Sequence, residues 1–456
     1  MSKKTVVLTG LFLLVYFLTL LLNDGFMGTD EYWTGITRYV PAQTQNVHNI
    51  LKSDDVKSPS QILPLLATSH LALQMGVTSP YGQYRFVQFF WGFLSIGLLL
   101  FCLLYFIPLP DRNLSLLVFT FYFAAPFVFT RPMYESLSAP FLLLSALSLN
   151  KYLDGKKIFF LFLSVLAVSL AFGFRPQTGI AALGLLGLVL WKSSKKDFFI
   201  SSSLGLLLFV GYGFFDFWIL GEWHKSLKDI LFYNVQFGSL YAVQPWHFYI
   251  PLSLFLLMTP FFISRSWWKV FRQNLPKQWP YWFYIVLILA LHSFFPQKWE
   301  RFVIPVIPLI LLILIDWIKN FRSHKIRLSL LLAFNFILMI PASFFPAQTN
   351  IIQFSRYLNA KPEIETVIRL NNNPQWITEV FIERTNWQWQ PTTEWPVTMT
   401  CNERLVMNQN DFEKQKSDFV IEQIFETNWI EKLAYRFNPS KNVRRTPLFL
   451  LKSKNC

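Results

Sequence analysis

About eleven apolar stretches, each long enough or nearly long enough to cross ~30 Å of hydrocarbon, run through the first three quarters of this chain. They fall near residues 5–23, 86–107, 114–130, 136–150, 158–173, 178–191, 198–218, 247–264, 280–295, 302–318 and 328–345. Backbone groups inside a bilayer must satisfy one another, so runs of this length are read as helices. The stretches near 136 and 178 are short for a span and are expected to be tilted, broken or re-entrant, which leaves the count between about nine and thirteen. Composition agrees: 53% of the residues are hydrophobic, 15% are charged and 49 are Phe. The expected class is an all-α polytopic membrane protein.

The net charge of +15 could point to nucleic acid, but the charge is scattered between apolar stretches rather than gathered on a polar module. Short cytoplasmic loops explain it. With Lys3 and Lys4 inside, every second loop carries the Lys and Arg: Arg112; Lys151, Lys156 and Lys157; Lys192, Lys195 and Lys196; Arg265, Lys269, Arg272 and Lys277; Lys319, Arg322, Lys325 and Arg327. The first apolar run has no small-residue cleavage site after it and is read as an uncleaved helix. The opposite loops are 24–85, 130–135, 174–177, 219–246 and 296–301. Residues 1–345 form the expected membrane domain, with 24–85 as its first external loop. From 346 to 456 short β-rich stretches such as Thr366-Val367-Ile368-Arg369-Leu370 alternate with turns, giving a small α/β domain, also external. A Cys401–Cys456 disulfide fits an extracytoplasmic position.

The polar residues of interest lie on that external side. Asp30 and Glu31 follow the first span, where a carboxylate can act as general base on a hydroxyl; acids at a helix start also simply favour the dipole. Arg131, Arg175, Lys298 and Arg301 lie in three of those loops, Lys298 and Arg301 sharing one. Each alone is more often a snorkelling anchor, whereas four together suit phosphate, onto which Arg forks. The segment Tyr241-Ala242-Val243-Gln244-Pro245-Trp246-His247-Phe248-Tyr249 combines an aromatic belt with an amide and an imidazole that could hold a sugar. His48 and His70 are assigned nothing. Asp216, near a span end, is a weak exception to charges that otherwise lie mostly at membrane edges.

In order and spacing these motifs resemble glycosyltransferase family 22, the lipid-phosphate-mannose-dependent α-mannosyltransferases of N-glycan and GPI-anchor assembly. The resemblance covers most of the membrane region. Asp30-Glu31 stands at the family's Asp-Glu pair, Lys57-Ser58-Pro59 at its basic-Ser-Pro element, Thr130-Arg131 at its Thr-Arg, and Arg175-Pro176-Gln177-Thr178 at its Arg-Pro-Thr. Tyr233-Asn234, Gly238 and Tyr241 through Tyr249 follow its aromatic stretch, with Gln244 for a His and Phe248 for a Trp. Gln297-Lys298-Trp299-Glu300-Arg301-Phe302 follows its His-Lys-Glu-x-Arg-Phe signature with Gln and Trp substituted. These departures point to a distant, bacterial member.

The resemblance implies a GT-C fold and transfer of mannose from a polyprenyl phosphate to a hydroxyl of a lipid-linked glycan or glycolipid, with inversion to an α-linkage. It implies Asp30 as base with Glu31 beside it; Arg301, Lys298, Arg175 and Arg131 on the phosphate; and Trp246, His247, Gln244, Tyr241, Lys57 and Glu300 around sugar and acceptor. No metal or other cofactor is expected, because cations already meet the leaving group. The expected membrane is a bacterial inner membrane with the site facing the periplasm, or an endoplasmic reticulum membrane with the site facing the lumen. Rival readings are transfer of another sugar to lipid A or protein, a lipid-linked sugar flippase, and a non-catalytic assembly subunit. A transporter should place charges at the bilayer midplane, whereas most here lie at membrane edges.

Overall fold

The computed structural model describes residues 2–25, 31, 35–40, 50–51, 57–240, 242–262, 267–321, 324–370, 379–384, 386–392, 394, 396, 399–413, 419–439, 442 and 445–456. Its membrane portion is helical: α1 (Lys3–Leu22), α2 (Pro59–Gln74), α3 (Pro80–Tyr105), α4 (Leu109–Phe121), α5 (Ala125–Phe129), α6 (Tyr134–Gly155), α7 (Ile158–Phe174), α8 (Ile180–Lys192), α9 (Lys195–Leu220), α10 (Lys225–Gln236), α11 (Tyr249–Leu256), α12 (Trp267–Phe294), α13 (Ile307–Asn320) and α14 (Lys325–Phe344). α1, α3, α9, the stretch from Glu300 through α13, and the stretch that begins with α14 are each long and apolar enough to cross a membrane.

Several elements differ from the expected pattern, each for a local reason. The run at 136–150 was expected to be short, yet α6 is 22 residues long. Serines break its apolar appearance, but Ser145 donates to the Ser164 carbonyl at 2.9 Å, Ser164 donates to the Ser145 carbonyl at 2.8 Å, and the Ser145 and Tyr284 hydroxyls meet at 2.9 Å. Such exchanged bonds tie helices together where the hydrophobic effect between them is weak. The run at 114–130 divides at Tyr122, an extended residue between α4 and α5. The run at 247–264 stops at Met258, whose φ of 52° is left-handed and cannot continue a helix. Within the long first loop, α2 takes Pro59 as its first residue and buries Ile62, Leu65, Leu66, Ser69 and Ala72 along one face. α13 is buried almost all round, as a helix apolar on every face should be.

The chain divides into two compact units, one of residues 1–20, 45–68 and 87–343, the other of residues 21–44, 69–86 and 344–456. The second contains α15 (Thr349–Asn359), the strands β1 (Thr366–Leu370), β2 (Gln388–Thr392), β3 (Glu403–Asn408) and β4 (Phe419–Phe425), then α16 (Trp429–Phe437) and β5 (Leu448–Ser453). The sheet runs β2-β1-β3-β5-β4, with β1 parallel to β2 and β3, and β5 antiparallel to β3 and β4. Ile368, Leu370, Leu405, Met407, Phe449 and Leu451 form one core cluster of this domain. Alternate strand residues Val367, Val406, Leu448 and Leu450 are also buried, as are Ile351, Phe354 and Leu358 of α15. A bulge in β4 interrupts the β4–β5 register at Glu422, which accepts a hydrogen bond from Tyr357 at 2.7 Å and pairs with Arg404. Cys401, beside β3, and Cys456, after β5, form a disulfide across 55 residues. Closing a loop of that size removes about 4 kcal/mol of unfolded-chain entropy.

Candidate active site

The site builds from three helix ends in the first unit. α7 stops at Phe174 because Pro176 cannot continue it, and Arg175 is left extended at φ −141°. The open carbonyls of that end are met by side chains from the start of α2. Ser60 donates to the Gly173 carbonyl at 3.2 Å, and the Gln61 amide donates to the Phe174 carbonyl at 2.6 Å. The Gln61 oxygen accepts from the Ser58 N–H at 2.9 Å. Lys57 is therefore delivered beside Arg175 by the segment that caps α7.

Glu135 lies in the first turn of α6, where the helix dipole favours an acid, and it is buried. Arg175 reaches it at 3.1 Å and Arg301 at 3.8 Å; Lys57, whose ammonium lies 5.8 Å from the Tyr134 ring centre, also acts on its charge. Arg301 comes from a 3-10 turn, Glu300–Val306, that precedes α13. Phe302 of that turn is the apolar hub. The guanidinium of Arg175 lies 4.9 Å and that of Arg301 5.6 Å from its ring centre, while His292 of α12 stacks on it at 4.7 Å. Three cations thus converge on one described carboxylate in a largely dehydrated place.

Removing one partner from such a buried pair leaves a charge uncompensated. Glu135→Ala is expected to cost about 3–5 kcal/mol, because it removes the buried carboxylate that Arg175, with a side chain 6% exposed, reaches at 3.1 Å. Thermal unfolding in nanodiscs should show this, and the double variant Glu135→Met with Arg175→Met should recover most of the loss. An unchanged midpoint in Glu135→Ala would show that the pair does not support the fold.

Lys298 is placed differently from the other cations. Its ammonium donates to the carbonyls of Phe295 at 2.5 Å, Gln244 at 3.2 Å and Pro296 at 3.5 Å, and burial lowers its pKa. The same two segments pair as backbone: Gln244 N–H to Pro296 carbonyl at 3.2 Å, Lys298 N–H to Ala242 carbonyl at 3.0 Å, with Val243 and Gln297 bridged antiparallel. Lys298 and Gln244 therefore join two loops. Arg131 is almost wholly buried, its guanidinium 4.9 Å from the Phe127 ring centre. Trp246, His247 and Glu300 are exposed. Trp246 also lines an apolar groove of about 740 Å³ with Tyr249, Leu254, Trp282, Leu289 and Ile310. Glu31 is buried in the second unit. Asp30 and Tyr241 lie outside the described residues.

Asp216 also receives a local explanation. It is buried and accepts from the Ser226 N–H at 3.0 Å, the Ser226 hydroxyl at 2.5 Å and the Ser58 hydroxyl at 3.4 Å. It caps the start of α10 and braces the Lys57 segment. Sequence reasoning did not single out Glu135 or His292, and it quoted Phe302 within a motif without giving it a role. An acid in a first helical turn has an ordinary explanation, and the signal for Glu135 was its place four residues after Arg131.

The Alg9-like mannosyltransferase family matches residues 60–393. The chain belongs to this family. It is a glycosyltransferase, and the match spans the Arg131, Arg175 and Arg301 segments. No curated protein sequence matches it. Among the solved structures that share its fold are two of one protein. One is ArnT from Cupriavidus metallidurans in the apo state, with TM-score 0.59 and 11% identity over 98% of this chain and 97% of that one. The other is the same protein bound to undecaprenyl phosphate, with TM-score 0.56 and 10% identity over the same shares. The fold is GT-C, helical in the membrane with a small C-terminal sheet, and the protein is a multi-pass membrane glycosyltransferase.

Proposed function

We propose that the protein transfers mannose from a polyprenyl-phosphate donor to a hydroxyl of a lipid-linked glycan or glycolipid, inverting to an α-linkage at a site on the extracytoplasmic side. The observation that carries this reading is the convergence of Lys57, Arg175 and Arg301 near the end of α7. Guanidinium groups fork onto phosphate oxygens, and their pull is largest in a dehydrated site where charge develops. The relative that holds undecaprenyl phosphate supports the class of donor, and the family supports mannose. The apolar groove beside Trp246 has the lining an isoprenoid tail requires.

In this mechanism Asp30, with Glu31 beside it, takes the proton of the acceptor hydroxyl. The freed oxygen attacks the anomeric carbon, the bond from that carbon to the phosphate oxygen breaks, and its electron pair leaves on the phosphate. Arg301 and Arg175, helped by Arg131, stabilise that growing charge, while Lys298 joins its own loop to the one that carries Gln244. Trp246, His247, Gln244, Tyr241 and Glu300 border the sugar and acceptor. The Cys401–Cys456 disulfide supports an oxidising, extracytoplasmic position for the C-terminal domain.

The purified protein in nanodiscs should move radiolabel from polyprenyl-phosphate mannose into a lipid extract, and should not move it from a nucleotide-linked mannose. Transfer of a different sugar alone from the same lipid carrier would replace mannose in the reading. Translocation of the lipid-linked sugar across a liposome membrane without transfer would favour a flippase instead.

A further inference from the structure

The helix α16 (Trp429–Phe437) begins on the segment that follows the last apolar helix. Asn428 caps it, its side-chain oxygen accepting from the N–H groups of Ile430 at 3.0 Å and Glu431 at 2.9 Å, while its amide donates to the Pro346 carbonyl at 2.8 Å. Glu431 is buried and accepts from the Gln348 N–H at 3.0 Å. The Trp429 ring stands edge-on to Phe345 at 6.1 Å. Phe345 directly follows α14, part of a helix able to cross a membrane. The cap and first turn of α16 are thus fastened to Phe345, Pro346 and Gln348, on which the chain leaves α14.

The outward face of α16 is unusual for a helix in water. Trp429, Leu433 and Phe437 lie at successive turns and are 58%, 43% and 83% exposed. Lys432 and Arg436, also exposed, form the adjoining strip. Lys432 reaches Glu426 at 2.7 Å, an exposed pair of little energetic weight. A row of large apolar groups edged by cations is the pattern of a helix lying in a membrane surface. Its attachment beside the end of α14 says which surface is within reach, and its cations match anionic headgroups.

We infer that α16 lies in the interface of the bilayer the chain spans. Trp429, Leu433 and Phe437 enter the acyl boundary, and Lys432 and Arg436 meet anionic phospholipid headgroups. The helix is then a tether that fixes the C-terminal sheet to the membrane independently of the chain connection through Phe345.

The test uses the full chain in nanodiscs, carrying Leu433→Cys or Phe437→Cys labelled with the fluorophore NBD. Cys102 is buried and Cys401 is bonded to Cys456, so the new thiol is the reactive one. Both labels should emit further to the blue than NBD-cysteine in buffer, should be quenched by doxyl-bearing lipids, and should resist aqueous iodide. Adding phosphatidylglycerol should strengthen these effects, and Lys432→Glu with Arg436→Glu should weaken them. Iodide quenching as strong as that of free NBD-cysteine at both positions would overturn the inference. Protection that appears only as the protein-to-lipid ratio rises would also overturn it, assigning the face to a second copy.

Discussion

Asp30→Asn is expected to lower sugar transfer by about two to four orders of magnitude while the protein remains folded in its membrane. An amide has nearly the size of the carboxylate but cannot take the proton of an attacking hydroxyl, so the loss should fall on turnover and leave donor affinity largely intact. Glu31→Gln provides the contrast. Glu31 is buried, so its replacement should disturb stability as well as rate, whereas a general base is expected to affect rate alone. Radiolabel transfer from polyprenyl-phosphate mannose, measured alongside thermal unfolding, separates the two. Undiminished turnover in Asp30→Asn would remove that residue as the base and move the role to another acid.

The membrane class was legible because hydrocarbon imposes a rule that sequence alone can obey or violate: long apolar runs become helices. Interruptions were less legible. Nothing in the composition of 247–264 marks Met258 as the residue where the helix turns left-handed. Ser145 of α6 looked polar but is satisfied by Ser164 of α7 and Tyr284 of α12, so a full-length helix read as a short one. At the site, Arg175 and Arg301 were visible as cations flanking helix-breaking or aromatic residues. Their common partner Glu135 was not, because an acid in a first helical turn has an ordinary explanation. Lys298 shows the converse. It carries the same charge as its neighbours in the list of candidates, yet its donors meet three backbone carbonyls, an arrangement that depends on two distant loops coming together.

Arg301→Gln is expected to reduce turnover about a hundred- to a thousandfold, the usual consequence of removing one group aimed at developing charge in a dry site. Arg175 is held at 3.1 Å by Glu135, whereas Arg301 stands at 3.8 Å from the same carboxylate and has an 18% exposed side chain. Arg175 is accordingly the more structural of the two, and Arg301 the better placed to turn its charge toward a phosphate as the glycosidic bond breaks. Turnover should therefore fall more than donor affinity, since the phosphate gains charge only as the bond opens. Arg301→Lys should restore part of the rate, because it keeps the charge but loses the planar fork. A thermal midpoint close to that of the parent protein must accompany the loss for it to report on chemistry. Should Arg301→Gln turn over at the parental rate, phosphate neutralisation would rest on Lys57, Arg175 or Arg131, and the same assay applied to each of them would locate it.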